Sequence, residues 1–104
     1  MTVHVLIVDD QEPFRTAARM VVEFTDGFEV IGEVTTGEDS VVTARVLKPD
    51  LVLMDVNLPG ISGIEAAEMI LAERAPPVVL MLSTYEPEEY GPRAAEAGAA
   101  ALGM

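Results

Sequence analysis

The chain has 104 residues, half of them apolar, with eighteen acids against six bases for a net charge of −12, and no cysteine. That is the length of one domain, and without cysteine there are no disulfides, thiolate metal sites or thiol catalysis. The acidic balance argues against direct nucleic-acid binding by this chain, because the non-specific part of that affinity comes from Lys and Arg. It suits a protein that recruits cations or basic partner surfaces.

Apolar blocks alternate with amphipathic ones. "VHVLIV" (3–8) reads as a buried strand. "PFRTAARMVVEF" (13–24) carries Phe14, Ala17, Ala18, Val21 and Phe24 near helical spacing, opens with Pro13 in its first turn and stops at Asp26-Gly27. "FEVIGEV" (28–34) sets Glu29, Ile31 and Glu33 against Phe28, Val30 and Val34, so one face is charged at two places, as on an edge strand. Thr36 is placed to cap a second helix through about Leu47, ended by Lys48-Pro49.

"DLVLMD" (50–55) is apolar on both faces, the mark of a strand covered by helices on both sides. Ser62 and Glu65 fit a capping box for a third helix that turns Ile64, Ala67, Ile70 and Leu71 inward. "PVVLML" (77–82) is another two-sided strand. A fourth helix is expected from near Pro87 to Gly98, kinked or loosened by Gly91-Pro92, since an interior proline costs ~3 kcal/mol or more. "GAAALGM" reads as a short last strand. The rhythm predicts an α/β fold, a mostly parallel sheet with right-handed crossovers and helices on both faces. No repeat, low-complexity tract or linker divides the chain.

The polar residues fall at the carboxyl ends of these strands, where open parallel sheets bind their ligands. Asp9 and Asp10 close the first strand, Asp55 the third, and Ser83 and Thr84 the fourth. If strands one and three are neighbours, three carboxylates share one crevice. Such a cluster either raises some of its pKa values or holds a cation, and hard oxygen ligands with room for water and phosphate suit Mg²⁺. A carboxylate is also a nucleophile towards phosphorus, with a metal to orient it and neutralise the transferring oxygens. The Ser83 hydroxyl is placed to meet a phosphoryl oxygen.

Together, "IVDD" (7–10), "KPDLVLMDVNLPGISG" (48–63), "LST" (82–84) and "AAEAGAAA" (94–101) resemble the receiver domain of two-component response regulators over essentially the whole chain. The resemblance implies a flavodoxin-like, doubly wound sheet in the order 2-1-3-4-5, spanning residues 1–104 as one receiver domain. It implies Asp55 as phosphoacceptor from a histidine of a sensor histidine kinase, Asp9 and Asp10 as the acidic pair of a Mg²⁺ site that includes Asp55, and Asn57 as donor of a backbone carbonyl to that metal. Ser83, with Thr84 beside it, matches the switch hydroxyl. The pattern leans towards receivers that precede a helix-turn-helix output domain.

Two positions depart from the family. Leu102 stands where the last strand carries a switch aromatic, and the lysine that pairs with the phosphoryl group would fall just past Met104. The family's fifth helix would follow there too, so the receiver is expected to be C-terminally incomplete. Apolar sheet surface left open by its absence, at roughly 25 cal/mol per Å², points to a homodimer, element-exchanged oligomer or low stability.

Each residue also has a plainer reading. Asp9-Asp10 alone is a turn or helix cap, Asp55 alone a strand end, Asn57 a turn former and Ser83 an ordinary hydroxyl; their convergence favours the phosphoacceptor reading. His4, the sole histidine, reads as structural, the six methionines as core filler, and Glu86, Glu88, Glu89 and Glu96 as a solvated helix face.

Three functions compete. A phosphate-accepting signalling receiver leads, followed by a truncated receiver acting as a phosphorylation-independent binding or oligomerisation module. An aspartyl Mg²⁺ phosphohydrolase comes last, because such enzymes use an acid two residues after the nucleophile and Asn57 stands there. The N-terminus lacks the basic start and small-residue cleavage site of a signal peptide, and no apolar run approaches the ~20 residues of a membrane span. A cytoplasmic location away from membranes is expected.

Overall fold

The structure is a computed structural model that describes residues 1–83 and 100–103, with the backbone alone described at Ser83 and from 100 to 103. In chain order the elements are β1 (Val3–Val8), α1 (Glu12–Glu23), β2 (Phe28–Val34), α2 (Gly37–Leu47), β3 (Leu51–Asp55), α3 (Gly63–Leu71), β4 (Val78–Ser83) and β5 (Ala100–Gly103). The expected helix from Pro87 to Gly98 and the residue Thr84 lie outside the described residues.

One parallel sheet holds all five strands in the order β2-β1-β3-β4-β5. The order reverses between β1 and β3, which opens a crevice beyond their carboxyl ends.

Local chemistry sets the helix limits. The Thr36 side chain accepts a 3.0 Å hydrogen bond from the Asp39 amide at the start of α2, meeting one of the orphan donors of a first turn. Lys48 ends that helix in the left-handed region, at φ 50, immediately before Pro49. Ser62 and Glu65 close a reciprocal capping box on α3. No side chain caps α1 at Gln11, where Pro13 fixes the first turn instead.

The two sheet faces are covered unequally. Leu6, Val8, Val52, Met54, Val79 and Met81 pack with Val41 and Ala44 of α2 and with Ile64, Ala66, Ala67 and Ile70 of α3. Opposite them, Val5 and Ile7 are buried with Val22 of α1, while Leu51 and Leu53 are only partly buried. Full cover of β3 by helices on both sides was expected. The difference arises because α1 packs on β1 and β2, off to one side of β3.

α1 does not rest on the stripe that hydropathy picks out. Phe14, Val21 and Phe24 are 40%, 68% and 84% exposed, whereas Val22 is 5% exposed. The face against the sheet is Arg15, Ala18, Arg19 and Val22, spaced i, i+3, i+4, i+7. Two of those four are arginines, which hides the face from an apolar pattern.

β2 departs from plain alternation as well. Val5 pairs with Val30 but Leu6 pairs with Gly32, so Ile31 is an extra residue in the ladder. Side-chain direction in a strand has period two, and a bulge shifts its phase. Val30 therefore packs with the α1 face and Val34 with the α2–α3 face, although they are four residues apart. Glu29 and Glu33 do not share one face as expected. The bulge brings Glu33 opposite Ile7, on the α1 side.

Candidate functional site

The crevice holds the three acids. Carboxylate oxygens of Asp9, Asp10 and Asp55 all lie within 4.8 Å of one another, with Asp9 and Asp55 partly buried and Asp10 exposed. Asp55 is the last residue of β3, and the Val56 amide extends the ladder past it by donating to the Leu82 carbonyl at 3.3 Å. Gly63, opening α3, packs directly on the Asp55 carbonyl and its amide donates to the Val56 carbonyl at 2.9 Å. A Cβ at position 63 has no room there. The turn between them needs the left-handed region at Gly60, φ +76, against which the Glu38 carboxylate lies.

Asp9 is held at three points. Its amide donates to the Val34 carbonyl at 3.2 Å, its carboxylate accepts from the Gln11 amide at 2.9 Å, and its carbonyl accepts from Arg15 Nη1 at 3.0 Å. Arg15 Nε in turn lies 3.8 Å from Glu33, whose other oxygen takes a 2.9 Å hydrogen bond from Arg19.

The charge balance follows from this packing. Partial burial pushes the Asp55 carboxyl up to about 6; the neighbouring Asp9 and Asp10 charges add to the rise, and the amides of Asn57 and Val56 oppose it. Asp9 is raised as well, mainly by burial and then by Asp10, against the Gln11 amide and the Arg15 charge. Carboxylates crowded without a cation behave this way. A donor set of clustered carboxylate oxygens, part exposed to water, fits a hard divalent ion such as Mg²⁺.

Asn57 sits in the bend two residues beyond Asp55, close enough for its amide to stabilise that carboxylate. Ser83 ends β4, one residue beyond the Leu82 that pairs with Asp55, and it pairs with Gly103; Leu102 pairs with Leu82. The backbone thus sets Ser83 on the strand next to Asp55 and Leu102 one strand further out. Thr84 is outside the described residues. Sequence reasoning passed over Gln11 and Arg15, whereas Gly63 closes the loop from Leu58 that the family resemblance sets beside the end of the Asp55 strand. The Gly at 63 inside "PGISG" was the available signal for a close approach, while Arg15 gave none.

The chain belongs to the response regulator receiver domain family, whose model matches residues 5–102. The response regulator GacA of Pseudomonas viridiflava is 40% identical over 98 residues, covering 94% of this chain and 46% of that protein. The response regulator UvrY of Escherichia coli K12 is 38% identical over 98 residues, covering 94% of this chain and 45% of its own. The chain therefore spans about half the length of these curated relatives. Among solved structures, the response regulator domain of Thermotoga maritima CheB superposes with a TM-score of 0.91 at 31% identity, covering 99% of this chain and 78% of that one. A two-component response regulator of the LuxR family from Aurantimonas sp. SI85-9A1 gives 0.90 at 30%, covering 97% and 72%. No helix among the described residues is long and apolar enough to cross a membrane.

Proposed function

We propose that this receiver accepts a phosphoryl group on Asp55 from a phosphohistidine of a sensor histidine kinase, with Mg²⁺ held by Asp9, Asp10, Asp55 and the Asn57 carbonyl. The convergence of the three carboxylates at the β1–β3 crevice carries this reading. One Asp55 oxygen attacks phosphorus, the N–P bond breaks, and the histidine nitrogen leaves with the electron pair. An acyl phosphate and a free histidine result. Bound Mg²⁺ supplies charge neutralisation for the transferring oxygens.

The half-burial that raises Asp55 also keeps its environment short of water, while at neutral pH the group remains mostly ionised and nucleophilic. Ser83, at the end of β4 beside β3, is our candidate for the hydroxyl that meets the phosphoryl group. The surface around β4 then changes, and in a longer protein this controls an output such as transcription. The chemistry is the protein's own modification and slow self-hydrolysis in the cytoplasm, with no turnover of a separate substrate.

Incubation with Mg²⁺ and acetyl phosphate, followed by intact-mass measurement, tests the reading. One phosphoryl adduct is expected, requiring Mg²⁺ and absent from Asp55→Asn. A folded, Mg²⁺-binding protein that gains no adduct would favour the second reading, a phosphorylation-independent association module working as a homodimer or exchanged oligomer. The exposed Phe14, Met20, Val21 and Phe24 on α1 support that alternative.

A further inference from the structure

We infer that Arg15 is a positioning residue for the acid site, a strut that fixes Asp9 through its backbone and thereby sets metal affinity. The inference rests on the Mg²⁺ reading above. Among the described residues Arg15 forms no ion pair with the Asp9 or Asp55 carboxylate; its Nη1 donates to the Asp9 carbonyl at 3.0 Å. The Asp9 carboxylate is aimed separately, by the Gln11 amide two residues on. Holding the carbonyl therefore fixes the peptide from which that carboxylate projects, without competing for its oxygens.

The strut has a footing. Arg15 is 19% exposed at its side chain and Glu33, 25% exposed, lies 3.8 Å from Nε. Glu33 reaches this face because of the Ile31 bulge, which sets it opposite Ile7. Arg19 bonds the same carboxylate at 2.9 Å and makes none of the contacts of Arg15 with Asp9. Arg19 therefore shares the stabilising partner but not the site, a control already built into α1. Planar guanidinium geometry lets Arg15 serve carbonyl and carboxylate together, which a lysine ammonium on one stem does poorly.

Groups that orient metal ligands commonly change affinity by 10–100-fold when removed. Mg²⁺ binding to the parent chain, Arg15→Ala, Arg15→Lys and Arg19→Ala, measured by calorimetry at pH 7.5 beside thermal unfolding, tests the strut. Arg15→Ala is expected to weaken Mg²⁺ binding about tenfold, Arg15→Lys to recover part of the loss, and Arg19→Ala to stay within about twofold of the parent. Phosphorylation by acetyl phosphate in Arg15→Ala should recover its rate at saturating Mg²⁺.

Unchanged affinity in Arg15→Ala overturns the inference and leaves the Mg²⁺ reading standing. Equal losses in Arg15→Ala and Arg19→Ala that track their melting temperatures overturn it too, as plain loss of packing. A folded parent chain that binds no Mg²⁺ overturns the Mg²⁺ reading itself, and the inference with it.

Discussion

The two faces of the sheet differ in what they are built to do. Towards α2 and α3, the side chains of Leu6, Val52, Met54, Val79 and Met81 are wholly out of water. Towards α1, Leu51 and Leu53 are partly buried, and Asp55 continues that row by two-residue steps to the crevice. Fold stability is concentrated on the first face. The second leads to the acid cluster, at a depth that perturbs a carboxylate without removing it from solvent.

Large-to-small substitution breaks this contrast most directly. Met54→Ala is expected to cost about 2–5 kcal/mol by leaving a cavity among side chains that cannot collapse, whereas Leu53→Ala costs about 1 kcal/mol because part of its surface is already wet. Denaturant titration of both variants gives the comparison, and equal losses would erase it.

Asp55→Asn is the next largest effect and has the opposite sign. The folded-state pKa of Asp55 lies above its ordinary value of 3.8, at about 6. The native state then binds the proton more tightly, and stability falls as pH rises through that window. The cost is complete above pH 6 and absent below the unfolded pKa. Without Mg²⁺, Asp55→Asn should stabilise the chain by about 1 kcal/mol at pH 7.5, a figure reduced for the exposure of the group. The gain should vanish by pH 4, and melting curves across that range are the measurement.

Phe24→Ser sharpens the comparison at its small end. Phe24 is 84% exposed, so stability should move by no more than about 0.5 kcal/mol. Sedimentation of the same variant shows whether α1 is an association surface: a parent dimer that becomes monomeric would say that it is.

Much of this was legible in the residues. Strand ends marked by Asp9, Asp10 and Asp55 lay next to apolar runs, so position along the chain gave position in the sheet. Thr36 and the Ser62–Glu65 box marked their helix starts by local hydrogen bonding alone. What stayed hidden depended on contacts between distant residues. The packed face of α1 contains Arg15 and Arg19, whose charges are met by Glu33 fourteen and more residues away, while Phe14, Val21 and Phe24 offered a more apolar but unused stripe. At Gly63 the glycine itself signalled a close approach, while its contact with the Asp55 carbonyl is made only in the folded turn.

The extra residue at Ile31 makes β2 sensitive to length as well as to composition. Deleting Ile31 would straighten the ladder and leave Glu33 opposite Ile7, whereas one residue inserted between Gly32 and Glu33 would carry Glu33 to the neighbouring Val8, turning a carboxylate towards Leu6, Val41 and Met54 and leaving two arginines facing an empty position. A conservative replacement of Ile31 keeps the phase, whereas a one-residue insertion after the bulge rewrites it for everything downstream in the strand. The crevice at β1 and β3 thus depends on the residue count of an edge strand that donates none of its acids.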